Sequence, residues 1–161
     1  EVCLVGSEMC IRDSLSSDRP WAIDRLGQRR IVEGAYIWRD LLDAGVIVAS
    51  GTDAPVEPVD PIANFYAAVT RKTLKGLPET GFEPAQKLSR MEALHAMTLA
   101  AAYAAFEEQD KGSIEVGKLA DLTVLDQDLT TVPEAEILNT EVLLTIVGGE
   151  VVYQRPETAN P

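Results

Sequence analysis

Val46-Ile47-Val48-Ala49-Ser50 is a run of apolar and small residues with no polar alternation, closed at once by Gly51-Thr52-Asp53-Ala54-Pro55. A strand with apolar side chains at successive positions has no face to give to water. The pattern therefore predicts a strand buried on both sides, as in a parallel sheet. Gly51 ends it, and Pro55 stops any ladder from continuing. Asp53 falls just past the carboxyl end of this strand, where α/β barrels and open α/β sheets place their chemistry. The same aspartate would serve as the cap of a turn or of the next helix, and residue pattern alone leaves both readings open.

The 161 residues around this strand suffice for one domain with a real core. With 46% hydrophobic and 25% charged residues the composition is that of an ordinary globular chain. No apolar run approaches ~18 residues, so no membrane-spanning segment is expected. The formal net charge of -12, from 26 acidic against 14 basic residues, argues against nucleic acid and against an anionic membrane surface as partners. Cys3 and Cys10 are the only cysteines, too few and too close to the start for a disulfide framework. Their scarcity elsewhere leans toward a reducing, cytoplasmic compartment. No basic region precedes an apolar one, so no signal peptide is read at the start.

Residues 1–15 follow neither a helical nor a strand period, and they resemble the translated read-through of a sequencing adapter. They are expected to be a non-native leader outside the fold, the alternative being a frayed end strand. After a short helical turn near Trp21–Leu26, the stripe Ile31, Ala35, Trp38 and Leu42 predicts a helix from about 31 to 44, stopped by Gly45. Asp60-Pro61 reads as N-cap and first residue of another helix, with Ile62, Phe65, Tyr66 and Val69 inward and Arg71, Lys72 and Lys75 complementing the dipole at its end. Residues 76–86 are a Gly/Pro-containing loop. Ser89-Arg90-Met91-Glu92 is a capping box opening a helix to about Glu107, whose alanine-rich second half invites a close neighbour. His95, the only histidine, lies on it with no histidine partner, so a structural or surface role is expected.

From Lys111 the pattern changes. Residues 119–125 alternate as a strand, and Val142–Val147 and Glu150–Tyr153 flank Gly148-Gly149 as a two-residue hairpin. Asp126 and Asp128 are read as solvated turn residues rather than cation ligands. Residues 156–161 form a frayed tail.

Four stretches carry a family resemblance. Trp21-Ala22-Ile23-Asp24-Arg25-Leu26-Gly27, Trp38-Arg39-Asp40-Leu41-Leu42-Asp43-Ala44-Gly45 and Ser50-Gly51-Thr52-Asp53-Ala54-Pro55-Val56-Glu57-Pro58 are similar to the C-terminal part of metal-dependent amidohydrolases. They resemble in particular amidohydrolase family 3, the YtcJ-like group that includes N-substituted formamide deformylases. Lys111-Gly112-Ser113-Ile114-Glu115-Val116-Gly117-Lys118-Leu119-Ala120-Asp121 resembles the segment that enters the superfamily's β-sandwich.

The resemblance implies an α/β fold, the C-terminal portion of a (β/α)8 barrel over residues 16–110, followed by part of a composite β-sandwich lobe over 111–155. It implies hydrolysis of carbon-nitrogen bonds other than peptide bonds, in small amide- or formamide-type substrates. It also implies a divalent metal, usually zinc, in the intact enzyme. Asp53 matches the aspartate after the last barrel strand, which binds or faces the metal and handles the proton of the attacking water. A bound metal brings the pKa of water toward ~7, and a fixed carboxylate then takes that proton. The family's His-x-His, its central carboxylate or lysine and its later histidines have no counterpart here. The chain is therefore expected to be a fragment that binds no metal and is inactive without the N-terminal part of the same enzyme. Deamination, cyclic-amide hydrolysis and a non-catalytic α/β binding module are the competing expectations.

Overall fold

The structure is a computed structural model that describes residues 15, 18–52, 54, 55 and 57–156. Apart from Leu15, the segment set aside as a leader lies outside the described residues, as do Asp53, Val56 and the end of the tail. The elements are α1 (Arg19–Gly34), α2 (Trp38–Asp43), α3 (Pro61–Thr70), α4 (Arg90–Met97), α5 (Leu99–Ala104), β1 (Leu122–Leu125), β2 (Val142–Val147) and β3 (Glu150–Gln154), with short 3-10 turns at Pro84–Gln86 and Glu134–Asn139. The result is a helical body joined to one antiparallel three-stranded sheet of order β1-β2-β3.

Helix α3 is the centre of the body. Asp60 caps it by accepting hydrogen bonds from the backbone N–H groups of Ile62 and Ala63 at 3.0 and 3.1 Å, with Pro61 in the first turn. The sequence marked one buried stripe, but almost the whole circumference is inside: Ile62, Ala63, Asn64, Phe65, Tyr66, Ala67, Ala68 and Thr70 are all buried. A helix apolar on every side is a core helix. Leu15, Trp38, Val48, Leu88, Ala93 and Ala96 pack into the same cluster. Leu129, Val132 and Ile137, from the connection between β1 and β2, join it and fasten the sheet to the helices.

The continuous helix expected over 31–44 is two helices. Ala35 is extended (φ -111°, ψ 130°) and Tyr36 left-handed (φ 58°), so the chain turns between α1 and α2. Ile31 and Trp38 still reach the core. Helix α1 is itself kinked at Gly27, which takes φ 75°. The stop at Gly45 holds as expected. With φ 80°, Gly45 donates to the Leu42 carbonyl and Val46 to the Leu41 carbonyl, both at 2.9 Å, which is a Schellman closure.

The capping box is formed: the Glu92 N–H donates to Ser89 Oγ at 3.3 Å and the Ser89 N–H to Glu92 Oε2 at 2.8 Å. The helix it opens does not run to Glu107. Thr98 leaves helical space (φ -120°, ψ -90°) while its Oγ1 donates back to the Leu94 carbonyl at 2.7 Å, a bond that bends helices. The alanines beyond the break admit the close neighbour they invited. It is Gly112, against whose α-carbon Ala102, Leu99 and Thr98 lie so near that an added Cβ would stand 2.8 Å from Ala102 Cβ.

In the sheet, Thr123 pairs with Thr145 and Thr145 with Tyr153. Gly148 and Gly149 turn the hairpin at φ 59° and 85°. Strand β1 begins at Leu122 rather than Leu119, because Ala120 and Asp121 are spent on that turn. The Ala120 carbonyl accepts from Gly149 N–H at 3.0 Å, and Asp121 Oδ1 accepts from Gly148 N–H at 2.7 Å.

Candidate functional site

The segment leading to Asp53 is extended but belongs to no ladder among the described residues. The expected strand buried on both faces is thus corrected: Val48 and Ala49 are inside, whereas Ile47 is 45% exposed. A parallel strand exists only where neighbouring strands accept its hydrogen bonds, and the described residues bring none beside it. What holds it is tertiary. The Ser50 N–H donates to the Ala96 carbonyl of α4 at 2.9 Å. Ser50 Oγ accepts from Asn64 Nδ2 of α3 at 2.8 Å. Gly51 and Thr52 are half-buried, and Ala54 and Pro55 are exposed. Asp53 itself lies outside the described residues. Asn64 was missed in the sequence, although an amide inside an otherwise apolar helix is a recognisable signal of a specific polar contact.

A second polar group, also unforeseen, lies at the other end of α3. Arg71 is expected from the sequence to complement the dipole at the helix end. It is wholly buried, because the residue that closes a core helix is inside with it. It adopts φ 57°, lies 4.5 Å from the Trp38 ring centroid, and donates from Nε to the Phe82 carbonyl at 2.5 Å. Its Nη2 is 3.9 Å from Glu83 Oε2, and neither Nη1 nor Nη2 has a hydrogen-bond partner. Burial lowers the Arg71 pKa to about 10. Glu83 is itself held by Arg19, whose Nε and Nη2 donate to its two oxygens at 3.0 and 2.5 Å. Nearby, burial raises the Tyr36 pKa. This group ties α1, α2, α3 and the 71–83 loop together.

Helices α2 and α4 are joined by Arg39 and Glu92, bonded through both guanidinium nitrogens, with Arg39 Nη1 to Glu92 Oε1 at 2.8 Å. Gln86 Oε1 accepts from the N–H groups of Arg39 and Asp40 at 3.0 and 3.2 Å, capping α2 from a distant loop. These links fix α2 against α4, the helix whose Ala96 carbonyl accepts from Ser50 N–H.

Other candidates carry no chemistry. His95 is exposed on α4. Among the described residues no group of three or more His, Cys, Asp or Glu side chains could hold a metal ion. Asp126 and Asp128 are turn residues, as expected. Asp126 Oδ1 accepts from Glu141 N–H at 2.8 Å, and Asp128 accepts from Thr130 and Thr131, with the Thr130 hydroxyl bond first among the causes that lower its pKa. A groove of about 620 Å³ separates α4 and α5 from β1, lined by Ile62, Leu94, Met97, Leu122 and Leu129 among others. Of its polar groups, Lys111 pairs with Glu107 at 2.6 Å, and Asp121 holds the hairpin. No described helix is long and apolar enough to cross a membrane.

Residues 5–153 match the sequence model of the amidohydrolase family. The chain belongs to the amidohydrolase family. Its relatives point to family 3, the branch suggested by the motifs. The chain is 35% identical over 141 residues to YtcJ of Bacillus subtilis, covering 88% of this chain and 26% of YtcJ. It is 38% identical over 117 residues to the N-substituted formamide deformylase of Arthrobacter pascens, covering 73% and 21% respectively. Among solved structures, an uncharacterized metal-dependent hydrolase from Pyrococcus horikoshii superposes with a TM-score of 0.63 at 32% identity, over 76% of this chain and 24% of that one. The family assignment makes this chain part of a group of hydrolases. It spans about a quarter of the length of these curated relatives.

The residues described here do not make a divalent metal centre by themselves. A hydrolytic metal needs about three protein ligands on one point, and no such group occurs among the described residues.

Proposed function

We propose that this amidohydrolase chain serves the hydrolysis of a carbon-nitrogen bond other than a peptide bond, with small amides of the formamide type as substrate class and Asp53 as the acid/base residue. The observation that carries the reading is the tethering of the segment before Asp53. A lone extended segment is held by α3 and α4 at Ser50, three positions ahead of a carboxylate, in a chain of amidohydrolase family. An aspartate used only as a turn cap needs no such anchoring. The similarity to a formamide deformylase supports the substrate class.

In this reading Asp53 removes a proton from the attacking water as the oxygen bonds to the amide carbon. It then returns that proton to the departing nitrogen as the carbon-nitrogen bond breaks. The carboxylate ends as it began, so one residue serves both halves of the reaction. A divalent metal such as zinc belongs to the reading as a property of the complete site, with Asp53 facing it or serving as one ligand and the remaining ligands supplied from outside this chain. The barrel arrangement belongs to the complete site as well. The 161 residues alone are accordingly inactive.

The test uses the full-length protein that carries this chain. Release of formate from N-alkyl formamides and of ammonia from primary amides is measured for the wild type and for Asp53→Asn, with circular dichroism as a check on folding. Loss of a positioned acid/base residue lowers kcat by about 100-fold or more. Full turnover by a folded Asp53→Ala form would falsify the assignment. Ammonia release from primary amides without any formate release would move the substrate class from formamides to primary amides.

A further inference from the structure

We infer that Arg71 is the latch of an Ω-loop over residues 72–81. Its backbone carbonyl and its side-chain Nε together close the neck of the loop on Phe82, so that the loop stands or opens as one unit. The latch is made of contacts inside this chain and is independent of the reading of Asp53.

Two residues that face each other in a hydrogen-bonded antiparallel pair exchange two backbone N–H···O=C bonds. Arg71 and Phe82 meet in that manner with one bond replaced. The Phe82 N–H donates to the Arg71 carbonyl at 2.8 Å. The Arg71 N–H is not free to return a bond, because it donates to the Ala67 carbonyl at 2.9 Å and closes α3. The side chain returns it instead, from Nε to the Phe82 carbonyl at 2.5 Å. The residue that ends α3 therefore needs a donor on a long side chain. Arg71 sits at φ 57°, where glycine is the ordinary choice for ending a helix. A glycine there would suit the backbone and leave the neck with one bond. Arginine supplies the second, and its guanidinium is kept in place on Trp38, 4.5 Å from the ring centroid.

Beyond the neck the loop supplies its own bonds. The Thr73 N–H donates to the Leu77 carbonyl and the Gly76 N–H to the Thr73 carbonyl, both at 2.8 Å, and the Gly81 N–H donates to the Pro78 carbonyl at 2.9 Å. The Leu77 N–H donates to Thr73 Oγ1 at 3.3 Å. A segment of this length, with its ends together and its bonds internal, is an Ω-loop, which typically spans ~6–16 residues. The hydrogen bonds and ion pairs that tie it to the body gather at the neck. Phe82 is held on Arg71, and Lys72 pairs with Glu134 at 2.5 Å. Gly81 presses on the Thr70 carbonyl at the same place. A segment built in this way opens as a unit when its neck is released, without the rest of the fold.

The experiment uses the full-length protein that carries this chain. Amide hydrogen exchange is followed by mass spectrometry in peptides covering residues 72–82 and 61–70, the second reporting on the core helix α3. In the wild type, urea below the unfolding midpoint leaves exchange in 72–82 nearly unchanged, because a local opening exposes little surface, and speeds exchange in 61–70 steeply. Arg71→Met keeps a long apolar stem and removes the donor. It speeds exchange in 72–82 by about tenfold more than in 61–70. Arg71→Lys keeps a donor on a stem of similar reach, and its exchange falls between wild type and Arg71→Met. The inference is overturned if exchange in 72–82 rises with urea as steeply as in 61–70, since the loop would then open only with the whole fold. It is also overturned if Arg71→Met leaves 72–82 unchanged or speeds both peptides equally. Equal exchange in the Lys and Met variants overturns it as well, because the loss would then lie in the stacking on Trp38 and not in the bond to Phe82. The wild-type urea series decides whether the loop opens as its own unit even where a variant does not fold.

Discussion

Replacing Gly81 by alanine separates the two reasons a glycine can be required. Gly81 sits at φ +82°, where an L side chain is strained, and a Cβ there would stand 2.2 Å from the carbonyl oxygen of Thr70 and 3.3 Å from Arg71 Cβ. The Thr70 carbonyl cannot retreat easily, since it ends the buried helix α3 and both Thr70 and Arg71 are 0% exposed. The loop must move instead, by most of an ångström. That movement opens the bond from Phe82 N–H to the Arg71 carbonyl at 2.8 Å and pulls Glu83 away from Arg19 and Arg71. The left-handed backbone alone costs about 1–2 kcal/mol, and forced overpacking adds about 1–3 kcal/mol. The expected loss is therefore about 3 kcal/mol or more. Gly117 is the control. It has φ +99° but nothing within 4 Å of its missing Cβ, so Gly117→Ala carries the backbone cost alone. Urea unfolding of the two variants, followed by tryptophan fluorescence because Trp38 is buried against Arg71, should place the Gly81→Ala midpoint clearly below that of Gly117→Ala. Equal losses would refute the reasoning, since they would mean that the contact with Thr70 adds nothing.

Two further predictions concern charge. The Glu92 pKa is lowered from its ordinary 4.5 to about 2, first by the hydrogen bond from Arg39 and then by Ser89. A carboxylate with a depressed folded pKa stabilises the fold fully above its unfolded pKa and loses that contribution as pH falls toward the folded one. The side chain is 36% exposed, so solvent screening brings the contribution down to about 1 kcal/mol. Glu92→Gln should therefore lower the urea midpoint at pH 7, with the difference from wild type shrinking between pH 4.5 and pH 2. A constant difference over that range would refute the assignment of the effect to the Arg39 pair. Glu83→Gln should cost about 3 kcal/mol by urea unfolding at pH 7, because it leaves the buried Arg19 and Arg71 without their shared carboxylate. An effect below ~1 kcal/mol, the size of a surface pair, would show that the buried guanidinium groups do not depend on it.

What the sequence made legible was local. The Asp60 cap, the Ser89-Glu92 box, the Gly45 stop and the Gly148-Gly149 hairpin each involve residues within a few positions of one another, and each forms as the side-chain chemistry dictates. What it concealed was set from a distance. The apolar stripe through Ile31 and Trp38 does reach one core, but across a break at Tyr36, since two short helices can aim the same side chains inward as well as one long one. Beside Lys72 and Lys75, Arg71 reads in the sequence as one more cation complementing the helix end. Its burial follows from the all-round apolar character of α3, which reading a single stripe understated.

The segment before Asp53 is the telling case. Its composition reads as a ladder strand, and composition reports only that the segment avoids water. Which partners satisfy its backbone is a tertiary fact, and among the described residues they are the Leu41 carbonyl for the Val46 N–H and the Ala96 carbonyl of α4 for the Ser50 N–H.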